Sequence, residues 1–123
     1  MRKIYTIFLL PAFLLFACST PDRLNETRVV SIQSVPEGAP IIVNGLNLGE
    51  APLEIEFETN EFGCFAKPAL ITALPQKADL NTQVVSFPAY SQNAPEKSAV
   101  PEKIVFDMKK SPTEKGAVQI NAR

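Results

Sequence analysis

From residue 28 onward, apolar and polar positions alternate in short runs, broken at frequent intervals by proline, glycine or asparagine. The clearest run is Leu53, Ile55 and Phe57 interleaved with Glu54, Glu56 and Glu58. A period of two is that of a strand with one face buried and one wet, so these residues predict a core face and an acidic ladder. Val30 and Ile32 against Ser31 and Gln33 predict a first strand over Arg28 to Val35, and Ile104, Phe106 and Met108 against Val105 and Asp107 predict one over Lys103 to Met108. Shorter apolar runs predict strands over residues 40–43, 46–48, 69–74 and 82–87. Outside the first residues, no stretch of about 12 positions carries the helical period. The expected fold is therefore all-β: a small single-domain β-sandwich over residues 29–109, with residues 110–123 a C-terminal tail or an edge strand.

Turn chemistry is densest between Val35 and Phe57. Val35-Pro36-Glu37-Gly38 suits a type I turn, with proline pre-setting the backbone at its second position and glycine at its fourth. Asn44 and Gly45 both tolerate positive φ, which a two-residue hairpin of the right twist requires. Gly49 is expected to end the third strand, and Pro52 to mark the reversal before the fourth. Pro36-Glu37-Gly38-Ala39, the apolar strand ending in Asn44-Gly45, then Leu48-Gly49 and Pro52-Leu53 before an alternating strand, together resemble a PEGA domain. The resemblance covers about 30 residues and implies a small β-sandwich module of bacterial envelope proteins, usually non-catalytic. It carries over only structural positions, namely Pro36, Gly38, Gly45, Gly49 and Pro52. Residues 91–98 and 109–114 are expected to be loops.

The N-terminal segment is of another kind. Arg2 and Lys3 precede an uncharged run of 13 residues, Ile4 to Phe16, followed by Ala17 and Cys18. This is the layout of a secretory signal peptide, and the run is shorter than the roughly 20 residues a spanning helix needs. Leu15-Phe16-Ala17-Cys18 resembles the lipobox of bacterial lipoproteins. That resemblance implies a lipoprotein signal peptide over residues 1–17, cleavage before Cys18, and lipidation of Cys18, with palmitate or a similar chain on the new amino terminus. Residues 18–28 then become the lipidated cysteine and a flexible tether. The competing reading is an ordinary signal peptide with Cys18 a plain cysteine. Ser19 follows Cys18, with no aspartate to suggest retention at the inner membrane. By analogy with other lipoproteins, the expected address is the cell envelope, at the outer membrane facing the periplasm.

Charge narrows the partners. Without the first 17 residues the chain carries ten basic and thirteen acidic side chains, a net of −3, which leaves no footprint for nucleic acid. The membrane link is expected to be the lipid anchor itself. There is no histidine, so Ser-His and Cys-His nucleophiles and His-based zinc sites are excluded. The carboxylates of Glu54, Glu56 and Glu58 are expected about 6.5 to 7 Å apart along one strand face, too straight a row to wrap a calcium ion. No catalytic residue, metal or cofactor is expected. Cys64 is expected to be a small buried apolar residue; the alternatives are an intermolecular disulfide or, without lipidation, a Cys18–Cys64 bridge. Phe62, Phe65 and Tyr90 are candidates for an exposed binding patch, against the reading in which such rings are core. These features predict a non-catalytic, lipid-anchored envelope module with a structural or protein-binding role. The alternatives are a carbohydrate- or peptidoglycan-binding module, and an accessory subunit or inhibitor of an envelope enzyme.

Overall fold

The computed structural model describes residues 26–123. The expected signal peptide and Cys18 lie outside these residues. Eight strands form two four-stranded sheets. They are β1 (Glu26–Val35), β2 (Pro40–Val43), β3 (Leu46–Glu50), β4 (Leu53–Thr59), β5 (Ala69–Ala73), β6 (Gln83–Phe87), β7 (Lys103–Asp107) and β8 (Val118–Asn121). One sheet has the order β4-β1-β7-β8 and the other β3-β2-β5-β6. All pairings are antiparallel except β1 with β7. The fold is all-β, as the alternation implies.

The inward residues of the two sheets share one core. Val30, Ile32, Ile55, Ile104 and Phe106 from the first sheet meet Ile41, Ala69, Ile71, Ala73 and Phe87 from the second. Most of these side chains are wholly excluded from water, and burial of this kind contributes about 1.5–3 kcal/mol for each large apolar side chain. Glu54, Glu56 and Glu58 stay exposed on the opposite face of β4, and Glu58 pairs with Lys67 at 3.3 Å.

Several boundaries differ from those the sequence suggests. The first strand begins at Glu26, because residues 26–28 pair with Phe57, Glu58 and Thr59 of β4, so the segment expected to be a tether up to residue 28 already belongs to the sheet at Glu26. Residues 118–121 are an edge strand on β7, and residues 95–98 form one 3-10 turn inside the expected loop. Gly49 does not end β3: the ladder shifts register between Ile41 and Ile42, leaving Leu48 as a bulge, and Gly49 pairs with Ile41 at φ 126°. Nor does Val35 to Gly38 close as a type I turn. The Gly38 N–H instead donates to Ala51 O at 2.8 Å, and Ala51 N–H to Ala39 O at 2.9 Å. Asn44 and Gly45 do adopt positive φ, 51° and 86°, as a hairpin turn of that twist demands. Asn44 does more than turn: its side-chain oxygen accepts from Leu70 N–H at 2.8 Å and its amide donates to Pro68 O at 3.2 Å, fixing the start of β5.

The two ends of the sandwich are built differently. At the end holding residues 36–39, 51–52, 74–82 and 108–117, hydrogen bonds cross between the loops. Met108 N–H donates to Val35 O, and Asn81 N–H to Met108 O, each at 2.8 Å. Beneath them lies Gln83, a wholly buried amide at the start of β6. Its nitrogen donates to Asp107 O at 3.0 Å and Lys110 O at 2.7 Å. The opposite end, holding residues 60–68 and 88–102, also has bonds between its loops, Phe65 N–H to Ser98 O at 2.8 Å and Val100 N–H to Gly63 O at 3.1 Å, but leaves a cleft open beside them.

Candidate functional site

The open end is shaped by the loop after β4. Asn60 directs it: its side-chain oxygen accepts from the N–H groups of Phe62 at 2.9 Å and Cys64 at 3.0 Å, the local capping expected of an Asx residue. The chain consequently turns Phe62 outward, 64% exposed, and Phe65 inward, 1% exposed. Phe65 packs edge-on to Phe57 at 5.3 Å and stacks with Phe87 at 4.8 Å. This corrects the expectation that Phe65 joins an exposed patch, because the same turn that presents Phe62 delivers Phe65 to the core. Tyr90 is half-buried and stacks on Phe62, with centroids 5.3 Å apart and planes at 29°. Two of the three candidate rings are thus together and the third lies beneath them. Cys64 is buried, its sulfur 3.6 Å from Pro95 O.

Beside the Phe62 ring lies a cleft of about 410 Å³. Its floor is the unfilled end of the sandwich core, made of Phe87, Val100 and Ile120. Ile120 shares the inward phase of Val118, which packs on the core, yet remains 47% exposed because nothing covers it here. The rim is charged: Arg28, Lys97 and Arg123 stand around the opening with Glu96. Among the described residues none of these four forms an ion pair.

Arg28 has the most specific setting. It stands on the same face of β1 as Val30 and Ile32, at the point where the core ends. Its guanidinium lies against Gly63, so close that a Cβ there would meet Cζ at 3.0 Å and the terminal nitrogens at 3.1 and 3.3 Å. Gly63 also has φ 75°, a backbone conformation that favours glycine, and any side chain there would push the guanidinium aside. Arg123 is held from the other side by donating to the Val29 carbonyl oxygen. Such an arrangement offers cationic donors around an apolar floor, with an aromatic face at the side.

The turn glycines and prolines lie elsewhere. Pro36, Gly38 and Pro52 are in the closed end, and Gly49 is in β3 next to the Leu48 bulge. Residues 27–61 match the family model of the PEGA domain. No curated protein and no solved structure matches the chain. The PEGA stretch spans β1 to β4 and the start of the loop. Of the cleft it supplies only Arg28; Phe62, Lys97, Arg123 and the floor come from the residues that follow.

The sequence signal for this site is faint. Arg28 is a charged residue at an inward phase of an otherwise apolar strand face, which is a usable clue. Lys97 and Arg123 are ordinary exposed residues in sequence, and only the fold brings them to one opening. Among the described residues, no three His, Cys, Asp or Glu side chains gather as metal ligands, and no helix is long and apolar enough to cross a membrane.

Proposed function

We propose that the protein is a non-catalytic, lipid-anchored module of the bacterial envelope, held through Cys18 and binding a protein partner at the open end of its sandwich. The observation that carries the binding role is the Phe62–Tyr90 stack: a large ring 64% exposed, braced by a second ring at 5.3 Å, beside an open cleft. Aromatic anchors with a rigid backing are the side chains that contribute most where proteins meet. The anchoring reading rests on the run ending in Leu15-Phe16-Ala17-Cys18. Two or three acyl chains, at about 0.8 kcal/mol per buried methylene, would hold the chain at a membrane where one would not. The proposed address is the periplasmic face of the outer membrane.

The test is a crosslinking pull-down from native membranes with wild type and Phe62→Ala side by side. A stoichiometric partner recovered with wild type and lost with Phe62→Ala is expected, whereas equal recovery would refute the assignment of the contact surface. Partition into detergent should disappear in Cys18→Ala, and persistence of it would count against the anchor. The exposed face of Phe62 also favours a second reading, a glycan-binding module, in which the protein is retained on purified cell-wall material and Phe62→Ala is not.

A further inference from the structure

We infer that the ligand of the open end is an extended, carboxylate-bearing segment of a partner protein lying along the free edge of β8; this rests on the reading of that end as the contact surface. Two independent features of the cleft carry it, one electrostatic and one of the backbone.

The first is the sign of the charge. Residues 26–123 hold nine basic and twelve acidic side chains, yet the cleft is lined by three of those cations and a single carboxylate, Glu96. The opening is therefore positive in a domain that is negative as a whole, and the low-dielectric floor beneath it keeps the field from being fully screened. Two of the three cations are guanidinium groups, whose planar forks match a carboxylate through paired hydrogen bonds.

The second is the strand that forms one wall. β8 is bonded to β7 alone and is the last strand of its sheet. Asp107 N–H donates to Ala117 O at 2.8 Å, and the alternation of an antiparallel ladder then turns the backbone N–H and C=O of Ile120 away from β7. Ile120, Ala122 and Arg123 all line the cleft. An extended chain that adds to this edge satisfies those groups, and every second side chain falls toward the sandwich. Apolar residues at those positions meet Phe87 and Ile120. Where the segment runs past the end of β8 into the cleft, its carboxylates come among Arg28, Lys97 and Arg123. The cleft volume of about 410 Å³ lies in the range of sites that hold small ligands, about 300–1,000 Å³, enough for the anchoring side chains rather than for the whole segment.

The experiment is selection of a random heptapeptide display library on the full chain, followed by titration of a selected peptide. Enrichment of Asp and Glu over the input library is expected. The affinity of the selected peptide should fall about tenfold in Arg28→Gln and in Arg123→Gln, the loss typical of one charge-assisted contact, and by a smaller factor in Lys97→Gln, which alters only an exposed turn. Replacing the peptide's Glu by Gln should have an effect of the same order, and the Ile120 amide should gain protection from hydrogen exchange. Selected peptides without acidic enrichment that still require Phe62 would overturn this inference and leave the contact surface standing. Failure to select any peptide, together with binding of soluble cell-wall fragments that Phe62→Ala abolishes, would overturn both. Protection appearing along β6 instead of β8 would overturn the placement.

Discussion

The two ends of the sandwich are the same fold finished in opposite ways. At the closed end, loops from both sheets bond to one another, and the Gln83 amide reaches two carbonyl groups from beneath. At the open end the core simply stops, leaving Ile120 47% exposed beside a cleft rimmed by Arg28, Lys97 and Arg123. Backbone hydrogen bonds tie the loops at both ends, with Phe65 N–H donating to Ser98 O and Tyr90 N–H to Phe65 O at the open one. The open end differs in leaving charged side chains and an apolar floor facing solvent. The difference teaches where stability and recognition are divided: substitutions at the closed end should act on folding, and those on the rim of the cleft on binding.

The strongest challenge to that division is Phe65, which lies under the open end yet belongs to the core. Phe65→Ala should lower stability by about 3–5 kcal/mol in urea unfolding; a loss under ~1 kcal/mol would mean that the open end is loosely packed throughout. Next comes Gln83→Leu, which leaves the Asp107 and Lys110 carbonyls without their amide donor. It should cost about 2 kcal/mol, and a neutral outcome would show that the closed end is held by its loops alone. Gly45→Ala introduces no collision, since nothing lies within 4 Å of the added methyl, so its cost is the positive φ itself, about 1–2 kcal/mol. It should leave partner recovery unchanged. Smallest is Phe62→Ala: with the ring 64% exposed, the melting curve should shift by no more than about 0.5 kcal/mol while partner recovery is lost. A large destabilisation there would dissolve the comparison.

Much of the fold is legible because alternation is a local signal. Leu53 to Glu58 announces its buried and wet faces without any knowledge of a partner, and Asn44-Gly45 announces its own φ values. What escapes is whatever depends on a distant segment. Phe62 and Phe65 are alike as residues, and they part where Asn60 accepts from the N–H groups of Phe62 and Cys64. Gln83 is polar at an inward phase, which reads as a strand boundary until the carbonyls of Asp107 and Lys110 are seen to wait for it. Gly49 is punctuation in sequence and a bulge partner in the sheet, a distinction set by the register of β2. The cleft is the extreme case, since Arg28, Lys97 and Arg123 are separated by most of the chain.

The parallel pairing of β1 with β7 has a consequence for how the polypeptide is made. The second edge of Ser31 to Val35 pairs with Lys103 to Asp107, while the hairpin of β2 and β3 belongs to the other sheet. A chain emerging from its N-terminus can therefore form the β2–β3 hairpin and the β1–β4 pair early, but β1 keeps one unpaired edge until some 70 further residues have followed, roughly the situation in which non-local topology slows folding. The stretch that matches the family model is a recognisable signature without being a unit of folding. A fragment ending at residue 61 would leave β1 and β2 each short of a neighbour, and both would be open to association with other copies.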